Sequence, residues 1–121
     1  MKNCLIVDDS RVIRQVTRRL VEAMQFEAGE AEDAPSALDA CRAKMPDVVL
    51  LDASLPGMSG SDFLRALRRE SDGARPAVIL CTAENDVLSI NEALSAGANE
   101  VLIKPFDKDN LRTKFADMGL L

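Results

Sequence analysis

Five times along this chain an apolar run of strand length is followed by an amphipathic stretch of helix length. Asn3 to Val7 reads as a strand, followed by a helix over Ser10 to Met24. In that helix Ile13, Val16, Leu20 and Met24 recur at helical spacing and mark the expected inner face. Asp9 or Ser10 supplies its N-cap. Glu27 to Ala31 is a weak strand, demanded chiefly by the alternation. The next helix runs from about Pro35, a suitable first-turn residue, to Lys44, with Leu38, Cys41 and Met45 on one face. Val48 to Leu51 is continuously apolar, as in a strand covered on both faces. A Pro- and Gly-marked loop over Leu55 to Gly60 leads to a helix from about Ser61 to Glu70, with Phe63, Leu64 and Leu67 inward. Ala77 to Cys81 is the fourth strand. Asp86 to Ala96 is the fourth helix, with Val87, Ile90 and Leu94 in register and Gly97 as its stop. Val101 to Ile103 and Lys108 to Asp117 complete the series, the last helix turning Leu111, Phe115 and Met118 inward.

Alternation of this kind with short connections predicts one α/β domain over residues 1–121: a doubly wound five-stranded parallel sheet with right-handed crossovers and helices on both faces. A chain of 121 residues suffices for one core. No apolar run approaches membrane-spanning length, which predicts no membrane insertion, and no secretory signal is legible at the N-terminus. The expected location is the cytoplasm. Cys4, Cys41 and Cys81 lie far apart within apolar patterns and read as core residues. The net charge of −5 argues against direct nucleic-acid binding, and the basic clusters at Arg18-Arg19 and Arg65 to Arg69 read as solvated helix faces. Histidine is absent, which excludes an imidazole general base and a His-ligated metal.

Sites in open parallel sheets form at the carboxyl ends of the strands. Here those ends deliver Asp8 and Asp9 (first strand), Asp52 (third), Thr82 (fourth) and Lys104 (fifth). Three carboxylates in one crevice repel unless a cation is present, and oxygen ligands alone suit Mg²⁺. A metal, an ammonium and a hydroxyl together match what an incoming phosphoryl group needs, with a carboxylate as nucleophile. Asp52 is the candidate because its strand should be central, beside the metal-binding pair Asp8-Asp9. Taken singly, each residue has an ordinary reading as cap, turn former or surface charge; the joint occurrence on four strand ends carries the functional one.

Val7-Asp8-Asp9-Ser10, Asp52 with Leu55-Pro56-Gly57-Met58-Ser59-Gly60, Thr82-Ala83 and Lys104-Pro105-Phe106 resemble the receiver domains of two-component response regulators, over essentially the whole chain. That resemblance implies a flavodoxin-like (βα)5 fold with strand order 2-1-3-4-5. It implies Mg²⁺ held by Asp9 directly, by Asp8 largely through water, and by Asp52 and the backbone carbonyl of Ser54. Phosphoryl oxygens would take N–H bonds from Ala53 and Ala83, and the Lys104-Pro105 bond would be cis. The implied partners are a histidine kinase or histidine phosphotransfer protein and a downstream protein target, with self-catalysed phosphorylation and dephosphorylation as the only chemistry. The native-looking Met1 start suggests a stand-alone protein of chemotaxis or another phosphorelay.

The chain departs from the family in carrying Val101 where an aromatic residue often sits three positions before the lysine, so transmission is expected through the backbone after Thr82. Ala53 and Ser54 are small, leaving room beside Asp52, and Ser54 and Glu84 are expected to flank the path of hydrolytic water. Three other readings compete: a binding module with a vestigial pocket, a phosphohydrolase of the haloacid-dehalogenase type, and a receiver cut from a longer regulator. The second needs an Asp-x-Asp motif after the first strand, which Asp8-Asp9-Ser10 does not match.

Overall fold

The computed structural model describes residues 1–83 and 85–121. Ten elements alternate in order: β1 (Asn3–Val7), α1 (Arg11–Ala23), β2 (Glu27–Ala31), α2 (Ala34–Ala43), β3 (Val48–Asp52), α3 (Gly60–Arg69), β4 (Ala77–Thr82), α4 (Val87–Ala96), β5 (Glu100–Ile103) and α5 (Lys108–Asp117). All strand pairs are parallel and the sheet order is β2-β1-β3-β4-β5, a flavodoxin-like doubly wound sheet. The central strand β3 is buried at all five positions, which is why its sequence shows no polar alternation until Asp52. At the sheet edge, β2 (Glu-Ala-Gly-Glu-Ala) buries only Ala31, so its weak apolar signal follows from its place.

Strand side chains alternate between two cores. Leu5, Val7, Val49, Leu51, Val78 and Leu80 pack against α2, α3 and α4, through residues such as Leu38, Phe63, Leu67 and Ala93. Cys4, Ile6, Leu50, Ile79, Cys81 and Leu102 pack against α1 and α5, where Phe115 meets Phe26 edge-on at 5.1 Å between ring centroids. Burial of each large side chain of this kind contributes about 1.5–3 kcal/mol.

Helix starts follow side-chain capping. Ser10, Asp33, Ser59, Asp86 and Asp107 each accept an N–H bond from the third residue onward. Asp33 therefore caps α2, and Pro35 is its second residue rather than its first. At the other end of α4, Gly97 has φ +120° and stops the helix as expected.

Three sequence expectations need correction. In α1 the buried residues are Thr17 and Val21, while Ile13 and Val16 are exposed at 42% and 51%. The apolar stripe of this helix is wider than the face that fits the sheet, and its surplus borders solvent. In α4 only Ala93 is buried, and Val87 and Leu94 face outward. Arg68 is no solvated residue: its guanidinium is half-buried and donates to the carbonyls of Gly73 (2.9 Å), Pro76 (2.8 Å) and Gly97 (2.7 and 3.2 Å) and to Asn99 Oδ1 (3.0 Å). Asn99 Oδ1 in turn accepts the Val78 N–H at 2.8 Å, so one arginine ties α3 to the start of β5. The Arg18 and Arg65 side chains do pair across exposed faces, with Glu22 and Glu30 and with Asp62. Among the described residues no helix is long and apolar enough to cross a membrane.

Candidate phosphoacceptor and metal site

Register brings the chosen residues to one edge of the sheet. Val7 lies beside Leu51, Asp52 beside Cys81, and Thr82 beside Ile103, so Asp8, Asp52, Thr82 and Lys104 leave neighbouring strand ends together. Alternation then sorts them. Asp8 follows Ile6, Asp52 follows Leu50 and Lys104 follows Leu102, all on the α1/α5 side, whereas Thr82 follows Leu80 on the α4 side.

Asp8, Asp52 and Thr82 are buried, and Asp9 is exposed. One carboxylate oxygen each from Asp8, Asp9 and Asp52 lies within 4.8 Å of the others. The cluster is all oxygen and fits a hard divalent cation that retains water, in line with Mg²⁺. The half-buried Lys104 Nζ stands 3.1 Å from Asp8 Oδ2 and 3.1 Å from Asp52 Oδ1. Burial lowers the pKa of this ammonium and is the largest single influence, but Asp52 and Asp8 together outweigh it and the net shift is upward. Lys104 thus stays charged between the two carboxylates. The Lys104-Pro105 bond is cis, as the resemblance implies.

Local structure holds the carboxylates in place. The Ser10 N–H donates to Asp8 Oδ1 at 2.9 Å, and the Ser54 N–H to Asp52 Oδ1 at 3.2 Å. The Ala53 N–H, expected to face phosphoryl oxygens, instead donates to the Cys81 carbonyl at 3.0 Å. Parallel pairing of β3 with β4 continues one residue past Asp52 and takes that donor, so the amide directed at the Asp52 carboxylate belongs to Ser54. Ala83 is exposed, and its N–H makes no hydrogen bond among the described residues. Glu84, expected beside the path of hydrolytic water, lies outside the described residues.

Two participants were not legible in the sequence. Arg14 Nη1 donates to the Asp8 carbonyl at 2.7 Å while its Nε meets Glu30 Oε1 at 3.1 Å, bracing the β1–α1 loop. Asp86 Oδ2 accepts from Thr82 Oγ1 at 3.4 Å. Nothing separates Arg14 from an ordinary surface arginine by spacing, and Asp86 reads only as a helix start. Beside the pocket, Ile13, Val16, Leu20, Pro105 and Phe106 line an apolar groove of about 370 Å³ that reaches Lys104.

The family described as response regulator receiver domain matches residues 4–116. The chain is 38% identical to the transcriptional regulatory protein CseB of Streptomyces avermitilis over 103 residues, 85% of this chain and 43% of that protein. It is 34% identical to the phosphate regulon transcriptional regulatory protein PhoB of Escherichia coli over 110 residues, 91% of this chain and 48% of that protein. The chain therefore spans less than half the length of these curated relatives. Its structure is similar to chemotaxis protein CheY4 of Vibrio cholerae, with TM-score 0.91, 29% identity and coverage of 97% and 98%. It is also similar to the receiver domain of sensor histidine kinase PA1611 of Pseudomonas aeruginosa, solved with a magnesium ion coordinated in its active site cleft. There the TM-score is 0.87, with 25% identity and coverage of 96% and 95%.

Proposed function

Because this chain belongs to the response regulator receiver domain family, we propose that it is a Mg²⁺-dependent switch that takes a phosphoryl group on Asp52 from a histidine kinase or histidine phosphotransfer protein. The observation that carries the reading is the position of Asp52: buried, 3.1 Å from the Lys104 ammonium, and in a three-carboxylate cluster with Asp8 and Asp9.

Asp8, Asp9 and Asp52, with the backbone carbonyl of Ser54, would hold Mg²⁺, which when bound neutralises charge on the phosphoryl oxygens. Asp52 attacks phosphorus: a new O–P bond forms, the donor's N–P bond breaks, and the donor imidazole keeps the electron pair. Lys104 remains protonated and stabilises charge on the transferred group, and Thr82 donates its hydroxyl proton to a phosphoryl oxygen. The N–H groups of Ala83 and Ser54 are the backbone donors within the same strand-end edge. The apolar groove reaching Lys104 offers the donor protein a seat beside the acceptor. Phosphorylation then switches binding of a downstream protein in chemotaxis or another phosphorelay.

The test is incubation with Mg²⁺ and acetyl phosphate, followed by intact mass. The wild type should gain one phosphoryl group, and EDTA or Asp52→Asn should abolish the gain. Absence of labelling in a protein shown to bind Mg²⁺, together with failure to form a beryllium fluoride adduct, which hydrolysis does not deplete, would overturn the reading.

A further inference from the structure

We infer that Asp86 is a positioning residue that competes with the phosphoryl group for the single hydroxyl proton of Thr82, and so couples Asp52 to the N-terminus of α4. This rests on the function proposed above and adds the side chain that opposes the phosphoryl group at Thr82.

The Thr82 side chain is buried, and strand parity turns it toward α4, away from the face that carries Asp52 and Lys104. There its Oγ1 donates to Asp86 Oδ2 at 3.4 Å. Asp86 is the N-cap of α4: its Oδ1 accepts the Ser89 N–H at 3.4 Å, its carbonyl accepts the Ile90 N–H at 3.1 Å, and its own N–H donates to the Ala83 carbonyl at 3.2 Å. One carboxylate therefore joins the end of β4 to the first turn of the helix.

That joint matters because packing holds this end of α4 only in part. Val87 and Leu88 are exposed at 62% and 71%, Ile90 is partly buried against the core, and the fully buried residue of the helix, Ala93, lies in a later turn. A helix start packed through one side chain depends on its cap for the rest of its position. A hydroxyl has one proton to donate. When Thr82 gives that proton to a phosphoryl oxygen, Asp86 Oδ2 loses its partner and the first turn of α4 is released. The two bonds exclude each other, and no aromatic rotamer is required, which suits a chain with Val101 before its lysine.

The experiment compares wild type, Asp86→Asn, Thr82→Val and the double variant by NMR, first without and then with beryllium fluoride and Mg²⁺. The Asp86→Asn change keeps an N-cap acceptor while presenting a weaker partner to the hydroxyl. Without ligand, Thr82→Val should speed exchange of the Ser89 and Ile90 amides when made in the wild type but not when added to Asp86→Asn. With ligand, Asp86→Asn should tighten beryllium fluoride by about two- to tenfold, the range of one net hydrogen bond, and lose this effect when combined with Thr82→Val. Equal effects of Thr82→Val with and without Asp86→Asn would reduce Asp86 to a simple helix cap and overturn the inference. If wild type binds no beryllium fluoride, the function proposed above fails instead, while the exchange data still decide whether Thr82 and Asp86 are coupled.

Discussion

Lys104 Nζ lies 3.1 Å from Asp52 Oδ1, the oxygen-bearing group proposed to accept phosphorus. The ammonium also meets Asp8 at 3.1 Å, so it holds two of the three clustered carboxylates against their mutual repulsion. It is at the same time a positive charge inside the proposed cation site. Lys104→Met should therefore tighten Mg²⁺ on the order of tenfold, about 1.4 kcal/mol. That is well under the roughly 4 kcal/mol a pair at 4 Å would have at an effective dielectric of 20, because Lys104 is partly exposed. The same variant should be less stable without metal and slower to label with acetyl phosphate. Mg²⁺ titration by NMR suits this Trp-free chain, and weaker Mg²⁺ binding would contradict the assignment.

Glu30 predicts the shape of the acid limb. Hydrogen bonding from Arg18 holds its carboxyl below the usual value of 4.5, burial opposes this, and Arg14 adds to the lowering. A folded-state pKa below the unfolded one contributes stability above the unfolded value and loses it as pH falls through the folded value. Glu30→Gln should therefore lower stability by a constant amount, under about 1 kcal/mol for pairs this exposed, above roughly pH 5. The difference from wild type should fade below pH 4.5. Urea midpoints across this range measure it; a gap that widened toward acid would have the wrong sign.

Gly97 and Arg68 share one tight contact. A Cβ at position 97 would lie 3.0 Å from both Cγ and Nε of Arg68, on a backbone with φ +120°. Gly97→Ala should cost about 1–3 kcal/mol through backbone strain and loosen the clamp on Asn99. Thermal unfolding beside Arg68→Ala should show the two losses to be less than additive, since they break one structure.

The thiols should be silent in the folded state. Cys4, Cys41 and Cys81 are free and buried. Burial pushes the Cys41 thiol up to about 11 and the Cys81 thiol up to about 12, and raises Cys4 as well. Thiolate is the reactive form, so labelling by an aromatic disulfide near pH 8 should follow opening of the fold and accelerate in urea. A burst of labelling in native protein would show one of the three to be accessible.

Much of this architecture follows from local pattern. Apolar runs bounded by Pro, Gly and capping residues mark the ten elements, and strand ends are where a parallel sheet displays polar groups, so the sequence alone places Asp8, Asp52, Thr82 and Lys104 at one edge. Periodicity could not say which part of an apolar stripe would be covered. Ile13, Val16, Val87 and Leu94 lie on the stripes that spacing selects, yet the sheet covers Thr17, Val21 and Ala93 instead. Nor could spacing reveal that Arg68 is drawn in by four backbone and amide oxygens from segments up to 31 positions away, or that β4 takes the Ala53 N–H. Residue types and their order along the chain were enough to determine the (βα)5 plan and which polar side chains stand at its edge, because both depend on local backbone preferences and on where strands end. Which donor faces which acceptor was decided only in three dimensions: the Thr82–Asp86 bond exists because strand parity turns one hydroxyl toward α4, and the choice among nearby partners is a property of the packed molecule.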